Sequence, residues 1–243
     1  MKTCVFFADR HLIHDEQPHW SWELFLKFIK DFEPDVIVDG GDHLDLPYIS
    51  SFNRDKLLLL EKKRIKKDFD LLATELRQLR DTTDRMLFLQ GNHEQRIDRM
   101  IEHQPIFEGD LELENRIDFD GLGIEYYPLN KQPVKIGKLH FLHGTYTGIH
   151  HAKKHLLRYM GNVTYGHVHE FQSFYHGIPL RNDEMGANSI GILSSKSPDY
   201  LKGRPAHWQN GFSVIYFGDG YFNQYNIIMT KKRFIFNGKE YAL

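Results

Sequence analysis

Asp35-Val36-Ile37-Val38-Asp39-Gly40-Gly41-Asp42-His43-Leu44-Asp45 is a β-branched run that breaks off into glycine and acid. The run is too short for a helix and is bounded by turn residues. It reads as a buried strand whose carboxyl end carries the polar cluster. The same grammar recurs on either side of it. Residues 2–8 are apolar and end in Asp9-Arg10-His11, and Met86–Gln90 ends in Gly91-Asn92-His93-Glu94. Between the first two runs, His19–Phe32 places Trp22, Phe25, Leu26 and Ile29 at helical spacing, with Pro34 marking the exit. A second helical pattern runs from about Asp55 to Arg80, with Leu58, Ile65, Phe69, Leu72, Leu76 and Leu79 on its apolar face. Strand, helix, strand, helix, strand predicts a parallel sheet covered on both faces.

The later part of the chain changes character. Gly123–Tyr127, Pro133–Ile136 and Lys138–Leu142 read as strands, Ile149–Tyr159 as a helix and Asn162–Tyr165 as another strand. From Phe171 onward strands dominate: Ser189–Leu193, Phe212–Phe217, Phe222–Met229 and Arg233–Phe236, with Gly218-Asp219-Gly220 as a hairpin turn. No repeat, low-complexity tract or linker interrupts the 243 residues, so one domain over 1–243 is expected. A hydrophobic share of 41% with 26% charged residues is that of a soluble globular protein, and a net charge of -2 gives no global attraction to nucleic acid or membranes. The one cysteine, Cys4, excludes an internal disulfide and reads as a buried thiol in an apolar run. The apolar stretch at the N-terminus is too short for a signal segment, and no run is long enough to span a membrane. A cytoplasmic protein is expected.

The chemistry lies where the strands stop. Besides the three ends above, Lys138–Leu142 ends in His143-Gly144, and Asn162–Tyr165 ends in Gly166-His167-Val168-His169. Successive strand ends thus deliver Asp, Asn and His to the carboxyl edge, where α/β folds place their ligands. Two divalent ions about 3.5–4 Å apart need a bridging carboxylate with imidazole, carboxylate and amide donors around it. If the chain stays extended, Asp9 and His11 project to one side with period two, as do His167 and His169. Arg10 then points away from them, toward a structural partner.

These five elements together resemble the calcineurin-like metallophosphoesterases, whose pattern is D-x-H, G-D-x-x-D, G-N-H-E, H-G and G-H-x-H in that order. The chain matches every element between residues 9 and 169. The resemblance implies a four-layer α-β-β-α sandwich of two mixed sheets flanked by helices, with a dinuclear centre. By position, Asp9, His11 and His169 would bind one metal, Asn92, His143 and His167 the other, and Asp42 would bridge them. His93 would not ligate; it would stabilise phosphate or protonate the leaving oxygen. The implied enzyme is a dinuclear metal-dependent phosphoesterase, a hydrolase that uses a metal-activated water.

Departures from the pattern narrow the reading. Serine/threonine protein phosphatases continue the second element as Asp-Arg-Gly, whereas Leu46-Pro47-Tyr48 follows Asp45 here. Glu170 stands where many relatives carry arginine, and residues 171–210 replace a shorter finish. In these respects the chain looks like the single-domain phosphoesterases of bacteriophages and bacteria. Phe171, Phe174, Tyr175 and Trp208 in that segment are either a wall of the substrate cleft or plain core. His140 lies inside its strand without a following glycine, so His143 is the preferred ligand. His14 and His43 are expected outside the ligand set. Asp39 and Asp45 either orient ligands or are ordinary turn carboxylates. Lys62-Lys63-Arg64 and Lys66-Lys67 read as a solvated helix face, while Arg96 and Arg99 face either phosphate or solvent.

The expected function is a phosphodiesterase or nuclease acting on nucleotides or nucleic acid. The alternatives are a small-molecule phosphomonoesterase and a non-catalytic metal-binding scaffold; the complete ligand set with His93 argues against the scaffold. The donors, without thiolate, suit two divalent metal ions: Mn2+ foremost, with Fe, Zn2+ or Mg2+ as others. The expected partner is a phosphoester substrate, with no membrane.

Overall fold

In the computed structural model, residues 1–53, 55, 61, 63–181, 183–197, 201, 204 and 206–243 are described. In chain order the elements begin with β1 (Lys2–Phe7), α1 (Trp20–Phe32), β2 (Val36–Asp39), α2 (Ile65–Arg80), β3 (Arg85–Leu89) and α3 (Gln95–His103). Next come α4 (Leu113–Arg116), β4 (Ile124–Tyr127), β5 (Val134–Ile136), β6 (Leu139–Leu142), α5 (His151–Tyr159) and β7 (Val163–Tyr165). The chain ends with β8 (Gln172–Ile178), β9 (Asp183–Ser189), β10 (Gly211–Phe217), β11 (Phe222–Ile228), β12 (Arg233–Phe236) and β13 (Lys239–Ala242).

One sheet has the order β11-β10-β1-β2-β3-β4, with β1, β2, β3 and β4 parallel, β10 antiparallel to β1, and β11 antiparallel to β10. The other has the order β5-β6-β7-β9-β8, with β6, β7 and β9 parallel. The alternation of β1 explains how the two sheets stack. Val5 and Phe7 face one core with Trp22, Phe25 and Phe28 of α1 and Phe69, Leu72 and Leu76 of α2. Cys4, Phe6 and Ala8 face a second core with Val38, Leu89, Phe141 and Ile190, which fills the space between the sheets. A third core joins Leu142 and Tyr165 of the second sheet to Leu156 of α5. Three cores between four layers give the expected α-β-β-α sandwich. The β12–β13 hairpin covers α1, where Phe28 meets Phe234, Phe236 and Tyr241 edge-on. No helix among the described residues is long and apolar enough to cross a membrane.

Local chemistry sets the helix ends. The His19 side chain accepts the Ser21 N–H at the start of α1. Glu33 closes it in the left-handed region at φ 46° just before Pro34. Two sequence expectations are corrected. The long helix begins at Ile65 among the described residues, with Arg64 extended as its cap; Leu58 and Lys62 lie outside the described residues. Arg64 donates to the carbonyls of Glu61 and Lys63, and Lys63 reaches Asp15 at 2.5 Å. The strand expected at Ser189–Leu193 lies earlier, as Asp183–Ser189. Its expected second half leaves the sheet because Leu193 N–H bonds to Asp9 O (3.2 Å) and Ile192 N–H to Gln209 O (2.8 Å), carrying the chain toward the first sheet. The polar strands β8 and β13 carry no apolar periodicity that would mark them in the sequence.

Phe6 and Phe141 meet across the two sheets at 5.4 Å, edge to face, and both are fully buried. Phe141→Ala is expected to lower unfolding free energy by about 3–5 kcal/mol, measured by urea denaturation. A loss below about 1 kcal/mol would show that the sheets do not depend on this contact.

Candidate metal centre

The strand ends of both sheets converge on one point. Asp9 N–H bonds to Gly41 O (2.9 Å), His11 N–H to Asp42 O (3.0 Å) and Leu12 N–H to His43 O (2.7 Å), which zips the loops after β1 and β2 together. Gly166 N–H bonds to His143 O (2.8 Å) and joins the loops of the second sheet in the same way. Two bonds then tie sheet to sheet: His143 Nδ1 to Gly40 O at 2.8 Å, and His167 N–H to Asp9 Oδ2 at 2.9 Å.

The expected extended geometry of the D-x-H and H-x-H elements is not what forms. Asp9 (φ 58°), His11 (46°), Asp42 (52°), His167 (70°) and His169 (63°) all lie in the left-handed region. That conformation is uncommon for side-chain-bearing residues and concentrates at functional sites. Two glycines make the crowding possible. A Cβ on Gly91 would stand 2.2 Å from Asp42 Oδ1, and one on Gly166 would stand 2.4 Å from Ala8 Cβ.

The seven expected ligands fall into two groups. Asp9, His11 and His169 offer donor atoms all within 4.8 Å of one another, as do Asp42, His143 and His167. In the first group His11 Nε2 faces His169 Nε2 at 3.2 Å, and His169 Nε2 stands 3.4 Å from Asp9 Oδ1. In the second, His143 Nε2 lies 3.3 Å from Asp42 Oδ2 and 2.9 Å from Asn92 Oδ1, which brings Asn92 into the set. His167 and His169 therefore separate, one to each group. His93 lies beside both, its ring 4.6 Å from that of His11 and its Nε2 3.7 Å from Asp42 Oδ2. His11, Asp45 and His93 form a further cluster of possible donors.

The electrostatics fit divalent cations in these groups. Asp9 and Asp42 are 0% and 1% exposed, and neither pairs with lysine or arginine among the described residues. Buried carboxylates require pairing or a metal. Burial works to raise both, yet nearby histidines win, so Asp9 is held below the usual carboxylate range and Asp42 well below it. Burial likewise opposes charge on His143, but Asp42 and Asp9 outweigh it and hold its pKa at about 10. Asp9 Oδ1 is buried without a hydrogen-bond partner. His143 and His11 each turn Nδ1 to an acceptor, Gly40 O and Asp45 Oδ1 (3.1 Å), which leaves Nε2 directed at the group. Oxygen and imidazole donors without thiolate suit Mn2+, Fe or Zn2+ alike.

The residues around the ligands are bound in place. The buried Glu94 carboxylate accepts N–H bonds from Gly91 (2.9 Å), Asp42 (2.9 Å) and Leu44 (2.8 Å), clamping two strand-end loops. Its oxygens serve the backbone, whereas His93 Nδ1 faces Asp45 O at 2.9 Å and Asp45 Oδ1 at 3.2 Å. Asp45 thus orients both His11 and His93. Arg96 donates to Asp45 O (2.6 Å) and meets His93 Nε2 at 2.8 Å, while Arg99 bonds to Gln95 Oε1 at 2.6 Å. His43 is fully buried between Asp39 Oδ2 (2.6 Å) and Glu75 Oε2 (2.9 Å). Glu75 Oε1 also takes Arg10 Nη2 at 2.9 Å, so Arg10 does find a structural partner, although its segment is not extended. His14 bonds to Asp68 at 2.7 Å.

Trp208 stands edge-on to His169 at 4.3 Å, and Gln209 N–H bonds to His169 O at 2.9 Å. No local pattern links these residues to His169; the contact exists only because the chain returns across the sheets after β9. Glu170 pairs with His151 Nε2 at 2.9 Å, on the side of α5.

No protein-family model matches the chain. The Gene 54 protein of Mycobacterium phage L5 is 25% identical over 230 residues, covering 88% of each chain. The Gene 54 protein of Mycobacterium phage D29 is 27% identical over 230 residues, again covering 88% of each. Among solved structures, Vps29 of Chaetomium thermophilum superposes with a TM-score of 0.54 at 12% identity, covering 100% of this chain and 99% of that one. At that identity the likeness concerns the fold alone: two mixed sheets flanked by helices.

Burial alone would lower the His43 imidazole, but Asp39 and Glu75 outweigh it and hold its pKa at about 9. Glu75→Ala leaves His43 and Arg10 short of a buried partner and is expected to cost about 3–5 kcal/mol at pH 6.5. A raised histidine contributes fully below its unfolded pKa of about 6.5 and fades as pH rises through the folded value. Chemical denaturation of both proteins in chelator is therefore expected to show a smaller gap at pH 10. An equal gap at both pH values would exclude a charged His43.

Proposed function

We propose that the chain is a metal-dependent phosphoester hydrolase that cleaves phosphodiesters of nucleotides or nucleic acid. One observation carries the reading: two buried carboxylates, without lysine or arginine partners among the described residues, sit among imidazole and amide donors brought from both sheets. In this reading Asp9, His11 and His169 would hold one cation and Asn92, His143 and His167 the other, with the Asp42 carboxylate shared between them. Such cations supply Lewis acidity toward water and the phosphoryl oxygens.

The chain's own residues handle position and protons. Asp45 takes Nδ1 of His93, which leaves Nε2 pointing between Asp42 and Arg96. Arginine donates only, so in this arrangement Nε2 of His93 accepts. A phosphate that drew Arg96 aside would free Nε2 to carry a proton toward the leaving oxygen. Glu94 keeps the Gly91 and Asp42 backbones fixed while this happens.

Turnover of bis-p-nitrophenyl phosphate above p-nitrophenyl phosphate with added Mn2+ is the expected result; turnover of neither would favour a non-catalytic scaffold. Asp42→Asn is expected to lose metal and activity together, by at least about 100-fold. Two tightly held metals in that variant, by elemental analysis, would contradict the bridging role. His93→Ala is expected to keep its metals and lose about 10²–10⁴ in kcat for esters with alkoxide leaving groups, but little for p-nitrophenolate, which departs without a proton. Equal losses for both would point to phosphate binding instead.

A further inference from the structure

A groove of about 900 Å³ opens beside the second donor group, between α3 and the turn at Tyr48–Ser51. Asn92 stands at its inner end, and Arg96, Arg99 and His103 line it outward. These three occupy positions i, i+3 and i+7 of α3, one continuous face of a helix. The acids of the same helix lie elsewhere. Asp98 accepts a bond from Gln90 at 2.8 Å, on the sheet side, and neither Asp98 nor Glu102 lines the groove. The rest of the described lining is hydroxyl, amide or apolar, so no carboxylate lines the groove among the described residues, although Asp45, Asp42 and Glu94 lie close enough to act on Arg96 and Asp98 lies close to Arg99. In a chain with 33 acidic and 31 basic residues, this is a local segregation of charge.

The donors are not exhausted by their internal bonds. A guanidinium carries five N–H groups, and the exposed Arg99 spends one on Gln95. Two guanidiniums with an imidazole beyond them, leading away from a phosphoester centre, suit a substrate whose charges repeat. A phosphoprotein or small monoester presents a single phosphate and would leave Arg99 and His103 unused. We propose that this groove is a subsite for phosphates flanking the scissile one, with Arg99 as its principal anchor, so that the substrate is a polynucleotide strand. This rests on the phosphoester reading of the adjoining centre.

The test is a titration of a fluorescein-labelled oligothymidylate into the full chain in EDTA, read by anisotropy at graded NaCl. Arg99→Glu is expected to weaken binding about tenfold or more at low salt and to flatten the slope of log K against log salt by about 0.7. Arg99→Lys should keep most of the slope, because it keeps the charge, and Glu102→Gln should bind at least as well as the parent. Undiminished binding in Arg99→Glu, no binding by the parent, or stronger competition by a phosphopeptide than by unlabelled oligothymidylate would each overturn the proposal. Hydrolysis of bis-p-nitrophenyl phosphate with Mn2+ is followed in parallel. Turnover with an Arg99-independent oligonucleotide KM overturns the groove and leaves the hydrolase reading. Arg99-dependent binding without turnover by the parent overturns the hydrolase reading and leaves the groove.

Discussion

Two carboxylates, Asp9 and Asp42, are buried where the two sheets meet, and the surrounding architecture answers their charge. Histidines from both sheets crowd around them, backbone N–H groups of His167 and His93 point at their oxygens, and no lysine or arginine pairs with either among the described residues. A bare buried carboxylate is so unfavourable that such an arrangement demands compensation. Imidazoles that gain protons supply some of it. Cations held between the same donors would supply more and would release those protons.

Bringing these groups together has a conformational cost, and it falls on the backbone. Five of the candidate ligands adopt left-handed φ, each at a cost of order 1–3 kcal/mol. The surroundings over-determine them. Strand-end loops are zipped by backbone bonds, Glu94 clamps three N–H groups, and glycines at 91 and 166 let the loops close to contact distance. The strain is thereby local to the place where the chemistry is inferred, while the flanking strands keep ordinary geometry and bury their alternate faces in separate cores.

Behind the site a second charged layer locks the first sheet to α2. His43 lies between Asp39 at the end of β2 and Glu75 of α2, and Glu75 also holds Arg10. Arg10 stacks over Trp22 of α1 at 4.9 Å, so both outer helices bear on the loop that presents Asp9 and His11. Charges that flank the ligands in sequence are thus turned inward as supports, whereas the arginines of α3 remain beside the open groove.

The sequence by itself determined the order of strands and helices, the polar strand ends and the residues that meet there. Val36–Asp39 and Leu139–Leu142 are apolar runs that can only be buried, and the polar residues after each run must emerge at a sheet edge. Periodicity is a local property, so it was legible without a structure. It failed where burial is one-sided or the chain changes sheets: the polar β8 went unmarked, and Ser189–Leu193 looked like a strand because Ile190 and Ile192 are buried in a crossing segment. Only the tertiary structure decided that the loops carrying Asp9, His11, His167 and His169 turn left-handed and do not stay extended, that Glu94 serves the backbone and not His93, and that Trp208 abuts His169. Those outcomes depend on left-handed dihedrals and on contacts between residues far apart in the chain. Neither leaves a spacing for the sequence to display, because each is set by how two sheets close on a pair of buried charges.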